Sequence, residues 1–194
     1  ELRDGPIDVE IFASAGRVER VVMSQRKPQF LRIYTPEEAL PAFGLSAADL
    51  LPGACIQTVS TGTPQLFIPL KNLESLRRSQ VDMQKFAALR QAGDFFSVHP
   101  FCLQGVERGQ TFARHFALLP DIAEDPFTGS ATGGMAAYLW HYGLIESPTF
   151  IAEQGHWMQR PGLGFVEVVG ARENIETVKV GGGAVAVLRG ELSL

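Results

Sequence analysis

Two side chains able to handle protons or anions, Asp125 and Ser130, stand a few residues apart in "AEDPFTGSATGGMAAYLWHYG", residues 123–143. Around and after them run small residues: Gly129, Ala131, Thr132, Gly133 and Gly134. From Met135 the segment is apolar on nearly every side, and the spacing predicts a buried helix from Ser130 that stops at Gly143. The first N–H groups of a helix lack internal acceptors, and the helix dipole adds partial positive charge there. Gly129 and Ser130 at that end let a carboxylate or phosphate approach closely. A carboxylate such as Asp125 beside that turn can move a proton on a bound acid. The same residues admit a plainer reading. Asp125 then caps the helix ahead of Pro126, and the glycines only relieve packing.

Other chemistries lack their residues. A P-loop needs Gly-Lys-Ser/Thr, and no lysine follows the glycines here. A nucleophile elbow needs glycines on both sides of the serine, but Thr128 and Thr132 hold those positions around Ser130. His99, His115, His141 and His156 form no i, i+4 pair, so no metal site is expected. His141 falls in the apolar helix and is expected to be a core histidine, whereas His115 flanks the site strand. Cys55 and Cys102 have neither zinc spacing nor a disulfide framework and are expected to be buried free thiols.

The elements that must position this stretch are short. The 194 residues, 45% hydrophobic, suffice for a real core. A formal net charge of -4 without clustered Lys and Arg argues against nucleic acid as a partner. No apolar run has the length of a membrane span, and the cytoplasm is the expected location. Residues 8–13 and 18–23 predict a hairpin turning at Ala15-Gly16. Thr35, Pro36 and Glu38 predict a capped helix that Pro41 keeps short, and Ser46 with Asp49 predicts another. Strands flank the turn Thr61-Gly62-Thr63-Pro64. Asp82 to Gly93 reads as a helix with Val81, Met83, Phe86 and Leu89 on one face. Further strands lie on either side of Gly109, and four more run through 149–153, 163–169, 175–181 and 184–190. Many short strands around one buried helix make an α+β pattern, without βαβ alternation.

At "EDPFTGSATG" the sequence resembles the phenazine-biosynthesis isomerase (PhzF-like) family, within the diaminopimelate epimerase-like fold. The pieces that carry the resemblance, in the family's order, are "VVMSQRKPQF", "STGTPQLFIPL", "ARHFALLPDIAEDPFTGSATGGMAAYL" and "EQGHWMQRPG". The resemblance implies two similar lobes, each a mixed or antiparallel sheet wrapped around a central helix, with the active site between them. Residues 25–194 then correspond to the second lobe and 1–24 to the last hairpin of the first. The final strand is a candidate to return to that first lobe.

The implied chemistry is cofactor-free isomerisation or epimerisation of a small carboxylate-bearing metabolite by proton transfer. Asp125 and Ser130 fall on the family's catalytic aspartate and serine, and Gly129 on its substrate-facing glycine. Thr128 and Thr63 are implied on the substrate side. Diaminopimelate epimerases and proline racemases use paired thiols, but Thr128 stands where the second would be. Ala117-Leu118 stand where the epimerases carry a Glu-Arg pair. No glutamate here matches the first-lobe glutamate that carries the proton, so the resemblance implies no turnover by these residues alone. It also implies an uncovered apolar face, and a homodimer or association with a first-lobe chain. The rival expectation is a non-catalytic homologue that binds a ligand or partner.

Overall fold

Alternating residues build a hairpin of strands β1 (Val9–Ser14) and β2 (Arg17–Ser24), which pair antiparallel. Both turn residues, Ala15 and Gly16, take positive φ, the twist that a tight hairpin needs. The computed structural model describes residues 5–121, 123–183, 188, 190 and 191. Strand β1 is exposed along its whole length, with Ile11 65% accessible. A chain turn then leads to strand β3 (Gln29–Tyr34).

Helix α1 (Pro36–Ala39) opens with the expected capping box, Thr35 and Glu38 bonding each other's main chain. Pro41 tightens the chain into a 3-10 turn at Leu40–Phe43. A second 3-10 turn, Ala47–Asp49, has the Ser46–Asp49 box. Strands β4 (Ile56–Ser60) and β5 (Pro64–Leu70) follow, then helices α2 (Leu73–Arg78) and α3 (Met83–Ala92). Asp82 caps α3 through the N–H groups of Gln84 and Lys85. Strands β6 (Ser97–Cys102) and β7 (Thr111–Ala113) precede the central helix α4 (Gly129–His141). Strands β8 (Thr149–Gln154), β9 (Gly162–Ala171) and β10 (Asn174–Gly182) complete the described elements. The expected run 184–190 lies largely outside the described residues.

The ten strands form one sheet in the order β1-β2-β10-β9-β8-β7-β6-β5-β4-β3. Neighbours are antiparallel except β5 with β6 and β7 with β8, which makes the sheet mixed. Helix α4 lies against β10, β9, β4 and β5, so the sheet wraps it as expected for this α+β class. Residues 131–139 are all buried, as an all-round apolar helix requires. Met135, Tyr138 and Leu139 pack with Val59, Phe67, Phe101, Val166 and Val178. Each such large side chain contributes roughly 1.5–3 kcal/mol on burial. The other face of the central strands carries a second core. There Leu66, Ile68 and Val98 meet Phe43, Phe86 and Phe116. Alternation along β5 sends Leu66 and Ile68 to one core and Phe67 to the other.

Several expectations are corrected. His141 is exposed, because the burial of α4 ends at Leu139; its ring lies 4.2 Å from Phe30, and its Nδ1 meets Arg172 O at 3.1 Å. Met83 is 39% exposed, so the buried face of α3 rests on Phe86. Cys55 is half-buried, its Sγ 3.8 Å from the Tyr138 hydroxyl, while Cys102 is buried as expected. Burial pushes the Cys102 thiol up to about 11, which keeps it protonated.

Candidate active site

Asp125 does not cap α4. The N-cap is Thr128, and its hydroxyl makes no bond to the helix backbone. That hydroxyl donates to Asp125 Oδ2 instead, at 2.5 Å. The first helical N–H to find its own carbonyl is that of Thr132, bonded to Thr128 O at 2.9 Å. The N–H groups of Gly129, Ser130 and Ala131 therefore have no acceptor within the helix. A Cβ placed on Gly129 would meet nothing within 4 Å, so the approach to those groups is open. Such a helix start is able to receive an anion, and the Asp125 carboxyl stands beside it.

Long-range side chains hold this helix start. Gln154, buried at the end of β8, donates from Nε2 to Asp125 O at 2.6 Å and accepts the Thr128 N–H at 3.2 Å. The Asp125 N–H donates to His115 O at 3.0 Å. Phe127 wedges between Gly162 and Gly164, where any Cβ would strike its ring. On the helix side, Gln25 Nε2 donates to Gly129 O at 2.8 Å, and Gln25 Oε1 accepts from Thr61 Oγ1 at 2.5 Å. Gln65 Nε2 donates to Ser130 Oγ at 3.1 Å. Gly133 and Gly134 permit this closeness, since a side chain on either would run into Gln25 or Phe67.

Ser130 thus offers its hydroxyl proton, because its oxygen already accepts from Gln65. Behind the turn, His99 and His115 face each other with Nδ1 atoms 3.2 Å apart. Burial holds His99 well below its ordinary value. Burial likewise lowers His115 to about 4, opposed by the nearby Asp125 charge. Both imidazoles are neutral at pH 7.

The sequence profile of the family described as phenazine biosynthesis-like protein (PhzC-PhzF) matches residues 1–190. The chain belongs to that family. It is 32% identical to an uncharacterised isomerase, YfhB, of Bacillus subtilis over 87% of this chain and 58% of the relative. It is 29% identical to the trans-2,3-dihydro-3-hydroxyanthranilate isomerase of Pseudomonas fluorescens, over 100% of this chain and 66% of that protein. A solved PhzF-family phenazine biosynthesis protein from Bacillus anthracis superposes with a TM-score of 0.78 at 28% identity. That match covers 93% of this chain and 62% of the other. The diaminopimelate epimerase-like fold follows from this likeness. The chain spans 58% and 61% of the lengths of the first two curated relatives that it matches.

Within this PhzF-type framework, the structure brings Asp125, Thr128, Gly129 and Ser130 together at one helix start. Thr63 is exposed in the β4–β5 turn, and among the described residues no hydrogen bond ties it to the cluster; its neighbour Thr61 reaches Gln25 and Ser130 O. Gln25, Gln65 and Gln154 escape a reading of sequence spacing, because each contacts the cluster across a long stretch of chain. Their signal lay in the four family-like pieces. Each piece outside "EDPFTGSATG" contributes one of these glutamines, and the fold converges the pieces on that stretch.

No helix among the described residues is long and apolar enough to cross a membrane. Among the described residues one group, Glu107, Glu153 and His156, has the proximity of a metal-ligand set. Glu153 already accepts four backbone N–H groups, from Val106, Glu107, Arg108 and Gly109, at 2.5–3.1 Å. That saturates its lone pairs and makes the group a loop clasp.

Proposed function

We propose that this chain forms one catalytic face of a cofactor-independent isomerase or epimerase acting by proton transfer on a small carboxylate-bearing metabolite. The carrying observation is the open start of α4 beside a carboxyl that Thr128 holds in place. The substrate carboxylate lies on the N–H groups of Gly129, Ser130 and Ala131, with the Ser130 hydroxyl donating to it. Asp125 orients or relays the proton. The isomerase names of the relatives and the dihydro-hydroxyanthranilate named for the Pseudomonas relative support this substrate class.

Moving a proton between two positions of one substrate takes groups on both sides of it. A glutamate from a first lobe is the proposed second group, so these residues alone bind a carboxylate and do not turn it over. The test has two parts. Amide NMR of this chain is followed while 3-hydroxyanthranilate is added. Deuterium uptake from heavy water is then measured with a full-length family member carrying these residues. Shifts focused on Gly129–Ala131, and uptake that Asp125→Asn abolishes, are expected. Wild-type uptake in Asp125→Asn sinks the assignment. Binding with no turnover in any longer form favours the alternative, a ligand-binding module.

A further inference from the structure

The turn that carries Asp125 does not close on itself. In a closed four-residue turn over Asp125–Thr128, the Asp125 carbonyl would accept the Thr128 N–H. Both groups bond to the Gln154 amide instead. Its Nε2 donates to Asp125 O at 2.6 Å, and its Oε1 accepts the Thr128 N–H at 3.2 Å. One main-chain acceptor and one main-chain donor leave that amide a single orientation. Turned over, it would set oxygen against oxygen and N–H against N–H.

The second Nε2 hydrogen faces the Thr128 hydroxyl oxygen at 3.4 Å. With its oxygen accepting there, the hydroxyl sends its own proton to Asp125 Oδ2, at 2.5 Å. A chain of hydrogen bonds thus runs from Gln154 through Thr128 to the Asp125 carboxylate. Its origin is firmly held. Gln154 is 1% exposed, and its main chain lies between Ala113 of β7 and Gly162 of β9. The residues that follow it grip the rest of the turn. Gly155, at φ +84°, comes so close that a Cβ on it would stand 2.4 Å from Pro126 O. Gly162 and Gly164 receive the Phe127 ring. The segment 154–164 therefore meets the Asp125–Thr128 turn residue by residue.

We propose that Gln154 is a positioning residue for Asp125: its amide takes the place of the turn's own hydrogen bond and, through the Thr128 hydroxyl, sets the direction of the Asp125 carboxylate. The consequence for rate rests on the proposed function; the hold on the turn does not.

Hydrogen-bond scalar couplings, read by NMR on the chain labelled with nitrogen-15 and carbon-13, test the hold directly. Couplings are expected from Gln154 Nε2 to the Asp125 carbonyl carbon and from the Thr128 amide nitrogen to Gln154 Cδ. A coupling from the Thr128 nitrogen to the Asp125 carbonyl would mean a closed turn and overturns the proposal. In a full-length family member carrying these residues, Gln154→Met keeps the length of the side chain and loses donor and acceptor. It is expected to lower kcat about tenfold, with KM held within about twofold. Because Gln154 acts through Thr128, its loss and that of Thr128→Val overlap, and the double variant is expected to be about as slow as the slower single one. Losses that multiply overturn the route through Thr128, and wild-type kcat in Gln154→Met overturns the positioning role. Should the methionine variant not fold, Gln154→Glu, which keeps an acceptor for the Thr128 N–H and loses the amide donor, takes its place in the cycle. The expected couplings in a full-length protein without isomerase activity would support the hold on the turn and count against the proposed function alone.

Discussion

The Thr128 hydroxyl donates to Asp125 Oδ2 at 2.5 Å, so the residue that opens α4 also holds the carboxylate beside it. Capping the helix and holding the Asp125 carboxylate compete for one side chain here. The helix forgoes a side-chain cap, worth about 1 kcal/mol, and its first N–H groups stay available to a ligand. Thr128→Val removes the hydroxyl while keeping the shape. It is expected to slow a full-length enzyme by roughly tenfold or more through misdirected proton transfer, with melting temperature nearly unchanged. Steady-state kinetics and thermal unfolding check this; equal kcat in the variant would detach Thr128 from the chemistry.

Asp125→Asn keeps the Thr128 contact but removes the charge. The expected loss in kcat is on the order of 10²–10⁴. Main-chain bonds to His115 and Gln154 survive, so unfolding free energies measured in urea should stay within about 0.5 kcal/mol of wild type. A large drop in stability would recast Asp125 as structural.

Two glycines of the same helix should respond oppositely to alanine. At Gly133 a new Cβ meets the Gln25 amide, itself bonded to Gly129 O and Thr61. Gly133→Ala is expected to cost about 1–3 kcal/mol in urea unfolding. At Gly129 the space is open. Gly129→Ala should leave stability level or raise it by up to about 1 kcal/mol, while crowding the helix start and weakening carboxylate binding. Titration of 3-hydroxyanthranilate against both variants separates the two effects.

The site was legible where local chemistry wrote it. The small-residue run ahead of an apolar segment announced α4, and Thr35 with Glu38 announced α1. Strand β3 and helix α2 were not anticipated. β3 is mostly exposed, so its apolar residues do not alternate cleanly, and α2 is six residues that rely on the Asn72 cap and on packing. His141 was misplaced because an apolar helical pattern cannot say at which residue along α4 burial ends, here Leu139. The roles of Gln25 and Gln65 depend on strands that meet α4 only in the folded chain, which no spacing rule encodes.

Glu153 gives the fold an acid-sensitive clasp. Burial raises its pKa, but the four backbone N–H groups it accepts outweigh that and hold it below its ordinary 4.5. A folded value below the unfolded one means the stabilisation is present above about pH 4.5 and is lost as pH falls through the folded value. Glu153→Gln should destabilise the protein by roughly 1.5–3 kcal/mol at pH 7. It should also flatten the decline in stability below pH 4.5. Urea unfolding across that pH window is the measurement; an equally steep decline in the variant would assign the acid sensitivity elsewhere.

A mutation that touches no site residue should still reach the site through Phe127. Its ring is pinned against Gly162 and Gly164 of β9, and a Cβ on Gly164 would stand 2.6 Å from the ring tip. Phe127 lies between Asp125 and Thr128, so pushing the ring moves the pair whose contact is 2.5 Å. Gly164→Ala is expected to shift the amide signals of Asp125–Thr128 and to lower kcat in a full-length enzyme. The β8–β9 pairing, in which Gly164 lies opposite Ala152, should persist, because alanine keeps the backbone donor and acceptor. Sub-ångström displacement of a proton-handling group is enough to cost an order of magnitude or more in rate. Unperturbed amides at Asp125–Thr128 alongside a slowed enzyme would show that the effect travels by another route.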